Sequence, residues 1–206
     1  DKGPLAGGFD DTQAIGKILG NAAVEALSGA TPQANGTIQA LTECVDIPLA
    51  PPPSATQIEE DIARMETERL EQAAQGNRRQ ELGTRAMIDW ARELLEAVKQ
   101  DRVPSHVTAQ IFAAAVGELR IVGVPFEPYS DIALRIKKLL QPHPVVFCGY
   151  ANGVIGYLPT GKALEQGGYG PATSHRWYRL LTPITYGADD LVVEKATCLA
   201  EKLVAS

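Results

Sequence analysis

Residues able to do chemistry concentrate between Ile121 and Ala172. There the chain places Pro, Gly, Asn, Tyr and a lone carboxylate in loops that follow apolar strands: Val124-Pro125-Phe126-Glu127-Pro128, then Ala151-Asn152-Gly153-Val154-Ile155-Gly156-Tyr157, then Gly167-Gly168-Tyr169. Loops at strand ends are where scaffolds carry their sites. Glu127 is set among Pro125, Phe126, Pro128 and Tyr129, a stiff apolar surrounding in which its charge is costly unless a cation meets it. The plainer reading is a glutamate that caps the following helix or faces water. Tyr157 and Tyr169 read either as buried tyrosines holding one hydrogen bond each or as phenol donors at a site.

Generic motifs give no help. The chain has no GxxxxGK[ST], no GxGxxG after a strand, no HExxH, no GxSxG and no paired CxxC. His106, His143 and His175 are far apart, with no second ligand type at helical spacing, and read as surface or capping histidines. Cys44, Cys148 and Cys198 are widely spaced among apolar or small residues, the usage of buried free thiols and not of a disulfide framework or zinc ribbon.

The run GVPFEPYSDIALRIK, followed by VVFCGYANGVIGYLPTGKALEQGGYG, resembles the C-terminal half of the catalytic domain of neutral/alkaline non-lysosomal ceramidases. That family has a Pro-Gly-Glu-[FP] loop opening a helix, an ANxxxGY[VIL]xT strand and a [GR]YE loop in this order. FDDTQAIGKILG and VDIPLAPPP also resemble what lies upstream in bacterial members. The likeness is specific over residues 119–172 and thin elsewhere.

The resemblance implies a single Zn2+ held by two histidines, a glutamate and a tyrosine, with a zinc-bound water attacking the amide of an N-acylated sphingoid base. By motif position, Glu127 matches the glutamate ligand and Tyr157 the tyrosine ligand, while Tyr169 matches a tyrosine that hydrogen-bonds near the reacting carbonyl. Asn152 and Gly153 are expected to shape a substrate-binding loop, with Gly153 where the backbone turns. A cation accounts for a carboxylate in an apolar loop and lowers the ~10 pKa of a phenol.

Two departures stand out: Phe126 where the family usually has Gly, and Gly170 where it usually has Glu. The two histidine ligands belong to the family's N-terminal half and have no positional match in this sequence. Zn2+ chemistry is therefore conditional on an N-terminal segment, in the same polypeptide or as a separate chain, that supplies them. The alternative is a catalytically silent binding or structural subunit that keeps the fold without the metal. A third possibility is an amidase acting on a small polar amide.

Composition bounds these readings. The chain has 206 residues, 45% hydrophobic and 21% charged, with 19 Lys+Arg against 25 Asp+Glu for a net charge of −6. No basic stripe interleaves with aromatics, which argues against nucleic acid as a partner. The longest apolar run, Ile111 to Val116, is far short of the ~20 residues of a membrane span. The opening DKGPLAGGFDD is acidic and Gly-rich, unlike a signal peptide. This leaves open a cytoplasmic protein or the processed form of a secreted one. The first residue, Asp1, suggests a trimmed product or part of something larger.

The elements that must position these residues follow from periodicity. Asp10 and Asp11 are candidate caps for a helix with Ile15, Ile18, Leu19, Ala22 and Ala26 on one face, ending at Gly29. Residues 37–49 read as a strand running into Pro51-Pro52-Pro53. Residues 54–75 form a highly charged helix whose alternating charges read as a solvated face, and residues 80–100 a second helix with Trp90 as core or groove filler. Residues 107–116 and 119–124 read as a hairpin through Gly117-Glu118. Residues 130–140 are a helix capped by Ser130 or Asp131, and residues 145–150 a strand buried on both faces. Thr160 caps a short helix, and a last helix starts near Ala188 with Val192, Ala196, Leu199 and Leu203 buried.

The expected fold class is α/β, a mixed sheet of about five or six strands with flanking helices. All of residues 1–206 would form the C-terminal portion of a ceramidase-like catalytic domain, with no immunoglobulin-like C-terminal domain. Its substrate would be an N-acyl lipid or another linear amide.

Overall fold

The computed structural model describes residues 7–30 and 37–203. The chain divides into two compact units, Asp1–Asn35 and Gly36–Ser206.

The first unit holds helix α1 (Phe9–Ser28). Its N-cap is Gly8, whose N–H donates to the Asp11 carboxylate at 2.8 Å, so Asp11 reaches back from the first turn and does not itself occupy the cap position. The expected apolar face exists in sequence, yet no residue of α1 is buried, and Ile15, Ile18, Leu19 and Leu27 are all exposed. Periodicity makes a helix amphipathic but does not supply the surface that covers its stripe. No described helix is long and apolar enough to cross a membrane.

The second unit is a mixed α/β arrangement. Its four-stranded sheet has the order β1-β2-β3-β5, from β1 (Ile38–Pro48), β2 (His106–Val116), β3 (Leu119–Gly123) and β5 (Val145–Cys148). β1, β2 and β3 are antiparallel neighbours, and β5 runs parallel to β3. A separate two-stranded ladder joins β4 (Glu127–Pro128) to β6 (Tyr157–Leu158). Among the described residues six strands are thus present, split between two sheets and not joined in one as expected.

Pleat alternation assigns the faces. Val45, Ile47, Ala109, Ile111, Ala113, Ala115 and Val122 point into the main core, where they meet Ile132 and Ile136 of α4 (Ser130–Leu139) and Val192, Ala196 and Leu199 of α6 (Ala188–Glu201). The buried Arg120 stands on this face too, donating to the carbonyls of Gly117 at 2.9 Å and Leu203 at 3.1 Å, and so ties the β2–β3 turn to the end of α6. The opposite face carries Ile38, Ala40, Cys44, Phe112, Ala114, Val116, Leu119, Ile121, Val146 and Cys148. Apart from Gly123 under the Phe112 ring, its positions from Ile38 to Cys148 are exposed or half-buried.

Three expectations are corrected by this arrangement. β5 is an edge strand with Val146 46% exposed, so its continuous apolar run is not buried on both faces. Cys44 and Cys198 are exposed and Cys148 is half-buried; all three are free thiols, but alternation and helix rotation turn them away from the core. The N-cap of α4 is Tyr129, which gives no side-chain cap, since the chain enters this helix directly from β4.

Helices α2 (Ala55–Ala74) and α3 (Arg78–Lys99) form an antiparallel pair beside the sheet. Ser54 caps α2 reciprocally: its Oγ accepts from the Gln57 N–H at 3.3 Å while Gln57 Oε1 accepts from the Ser54 N–H at 3.1 Å. Ile58, Trp90, Ala91 and Leu94 make a second small core. The Trp90 indole donates to the Leu180 carbonyl at 2.9 Å, which fastens α3 to the segment between α5 (Gly161–Gln166) and α6. As expected, Thr160 caps α5 by accepting from the Ala163 N–H at 3.2 Å. The alternating charges of α2 do form a solvated face of ion pairs, among them Arg69–Glu66 at 3.0 Å and Lys99–Glu59 at 2.7 Å.

Candidate functional site

The site is built where β3 and β5 end. Val124 N–H donates to the Cys148 carbonyl at 3.0 Å, Ala151 N–H to Val124 at 3.0 Å and Tyr150 N–H to Phe126 at 2.9 Å, so the two exit loops are zipped together. A second seam follows: Ile155 N–H donates to the Pro125 carbonyl at 2.8 Å and Glu127 N–H to Gly156 at 2.8 Å. This seam sets Glu127 directly opposite Tyr157 in a parallel pair, with both side chains on one face of the ladder. Phe126 is fully buried beneath them.

Tyr157 is the hub of an aromatic cluster. Its ring stands edge-to-face with Tyr169 at 5.8 Å, Tyr178 at 6.4 Å and Tyr129 at 6.5 Å between centroids. The phenols of Tyr150 and Tyr157 both face the Glu127 carboxylate. Hydrogen bonding to that carboxylate is the main cause that pushes Tyr150 up to about 12, and it also raises Tyr157, with burial adding to each. The carboxylate therefore favours the neutral form of both phenols.

Glu127 and Tyr157, expected as partners in one site, are thus brought together, and Tyr169 stands beside them with 55% of its surface exposed. Asn152 and Gly153 lie in the exposed loop before β6, with φ of 62° and 132°. Tyr150 was not singled out from sequence. It too sits in the left-handed region, at φ 55°, uncommon for a bulky side chain, and its backbone N–H is held by the Phe126 carbonyl. A signal for this cluster does exist in the sequence. All six tyrosines lie between residues 129 and 186, and five of them gather here.

Both departures from the ceramidase motif have a structural reason. Phe126 fills the core under the loop. A Cβ on Gly170 would lie 2.7 Å from the Tyr129 hydroxyl and 3.2 Å from Tyr157 Cδ1, so the tyrosine cluster occupies the space that a side chain at 170 would need.

The histidines are not at the Glu127 carboxylate. His106 is exposed beside Asp46 at 3.7 Å, and the His143 backbone closes the turn after α4. His175 is a correction: it was read as a surface or capping residue and is 7% exposed, edge-on to Trp90 at 5.5 Å. Burial and the adjacent Arg176 lower its pKa to about 4, so it is neutral and not a counterion.

The donor set fits zinc in part. A carboxylate and a phenol oxygen face one another, which suits two positions of a tetrahedral ion. Among the described residues no group of three or more His, Cys, Asp or Glu is placed to hold a metal. Two further ligands would have to come from elsewhere.

Neither a family model nor a curated protein matches this chain. Among solved structures, neutral ceramidase from Pseudomonas aeruginosa is similar at 24% identity over 51% of this chain and 17% of that one, with a TM-score of 0.33. A ceramidase complexed with C2 is similar at 24% identity over 51% of this chain and 16% of that one, with a TM-score of 0.34. The chain spans about a sixth of the length of these ceramidases. At this level the likeness carries no argument about activity.

Proposed function

We propose that the Glu127–Tyr157 pair is this chain's half of a zinc-dependent amidohydrolase site, ceramidase-like, that cleaves an N-acyl linkage once two histidine ligands are supplied from outside the described residues. The observation that carries this reading is the parallel pairing of Glu127 with Tyr157 at the meeting point of two loops whose sequences resemble the ceramidase motifs.

Glu127 and Tyr157 would hold the ion through one carboxylate and one phenol oxygen. When bound, zinc activates a water at neutral pH and polarises the amide carbonyl. Tyr169, exposed beside Tyr157, would donate its hydroxyl to the carbonyl oxygen and to the charge that develops there. Tyr150, whose phenol interacts with the Glu127 carboxylate, would help to orient it. Asn152 and Gly153 form an exposed lip over which the acyl or amine part of a substrate would pass.

The reading also names a partner, the N-terminal half of such a catalytic domain, in the same polypeptide or as a separate chain. The uncovered face of the sheet supports this. It ends at Gly123 and Cys148, from which the chain runs directly into Glu127 and Tyr150, so a layer seated there would reach the site.

Calorimetric titration with zinc tests the ligand assignment. Two oxygen ligands should give weak binding that Glu127→Gln and Tyr157→Phe each reduce about tenfold. Equal binding by the native protein and both variants would overturn it. On the protein purified with its native partners, hydrolysis of long-chain against short-chain N-acyl amides separates a lipid hydrolase from a small-amide amidase, because apolar burial favours the longer chain. No hydrolysis of either would leave the silent-subunit alternative.

A further inference from the structure

A groove of about 500 Å³, lined by none of the clustered tyrosines, lies between the α2–α3 pair and the segment after α5. Its lining includes Met65 and Met87, the only two methionines of the chain, and Trp177, one of its two tryptophans. Trp177 is 53% exposed and its ring edge lies over Gly83, where even an added Cβ would sit 3.9 Å from Cη2. A large aromatic and two flexible thioethers thus face water together, a surface suited to an apolar body of variable shape.

Charge is the second observation. The other arginine that lines the groove, Arg64, has a carboxylate partner in Asp61. Arg176, which lines the groove, is half-buried and makes no ion pair with any described residue. Its guanidinium carbon stacks 4.9 Å from the Trp90 ring centre, and its Nε is buried without a hydrogen-bond partner. The stack offsets part of the desolvation of this cation. It does not replace the planar acceptor that a guanidinium fork is shaped to meet.

We propose that this groove binds an aliphatic carboxylate, with its head on the Arg176 guanidinium and its chain along Met65, Met87 and Trp177. Its acidic neighbours limit the charge of the ligand. Glu68 lines the same groove, its Oε1 accepting from Gln72 Nε2 at 2.8 Å, while Asp61 and its ion-pair partner Arg64 act on Arg176 with opposite signs. A single carboxylate is matched by Arg176, whereas the second charge of a phosphate dianion would have no further unpaired cation and would meet repulsion from Glu68. The site does not depend on zinc or on hydrolysis.

The two tryptophans give the readout, since Trp90 lies under Arg176 and Trp177 lines the groove. The full chain is titrated with dodecanoate below its micellar concentration, and with dodecanol as the uncharged control, while tryptophan fluorescence is followed. The expected result is a saturable change with dodecanoate that is weaker by about tenfold or more for dodecanol and in Arg176→Gln. Gln80→Glu, an exposed isosteric change that adds a negative charge to the lining and leaves the Arg–Trp stack untouched, should also weaken dodecanoate binding, and it decides the matter should Arg176→Gln fail to fold. Equal binding of dodecanoate and dodecanol, or dodecanoate binding unchanged in Gln80→Glu and in folded Arg176→Gln, would overturn the proposal.

Discussion

Phe112 and Gly123 stand opposite one another across β2 and β3, and the Phe112 ring occupies the space that a Cβ on residue 123 would need. The aromatic ring replaces the packing that glycine cannot supply, on the face of the sheet that no helix of its unit covers. Gly123 is also the last residue of the strand that delivers Glu127. Gly123→Ala should destabilise the unit by roughly 1–3 kcal/mol, the range for overpacking, because the half-buried ring can move only in part. Phe112→Ala should be mild, and the double variant should recover much of the loss. Urea unfolding of the four proteins measures the coupling, and strict additivity would refute the assignment.

Gly170 and Tyr129 make a second close pair. Gly170→Ala brings a methyl within 2.7 Å of the Tyr129 hydroxyl, so the ring must shift and drag Tyr157 with it. The expected cost is about 1–2 kcal/mol, and Tyr129→Phe should relieve most of it by deleting the clashing oxygen. If Gly170→Ala is as stable as the native protein with or without that oxygen, the hydroxyl does not hold this place.

How much of this was legible beforehand depended on the range of the interaction that decides it. The Thr160 cap, the α3 stripe with Leu94 and the Gly117-Glu118 turn are local, and the residue types and spacing within a few positions reveal them. The faces of β2 are not local. Its run from Ile111 to Val116 is apolar on both sides, so alternation cannot say that Ala113 is buried and Ala114 only half so. His175 was equally opaque, because nothing within a few residues reveals that Trp90, 85 positions earlier, will pack on its ring. Glu127 and Tyr157 could be paired in advance only through the motif likeness, since the backbone seam that joins them links residues 29 or more positions apart.

His175 makes the stability of the second unit depend on pH. Its folded pKa lies near 4, below the ordinary 6.5, because burial and Arg176 disfavour the imidazolium. The unfolded chain therefore binds more protons between these values. Stability is complete above about pH 6.5 and falls as pH drops toward 4, by up to about 3 kcal/mol. Urea midpoints measured across this window should show the fall, and His175→Gln should flatten it. An unchanged pH slope in that variant would assign the dependence to the carboxylates instead.

The two faces of the sheet give the sharpest contrast. Ala113 is fully buried against α6 and α4, whereas Ala40, on the opposite face of the neighbouring strand, is exposed. A glutamate at 113 would bury an unpaired charge, several kcal/mol of penalty that a single domain cannot absorb, so Ala113→Glu should not fold. Ala40→Glu should change stability by no more than about 0.5 kcal/mol, as for an ordinary surface position. The same substitution would be costly if another layer covered this face, so the stability of Ala40→Glu in the isolated chain, set against its behaviour with the native partners bound, reports on that layer directly. Tolerance alone and disruption of the assembly would identify the face as an interface. Tolerance in both settings would show that it stays in water.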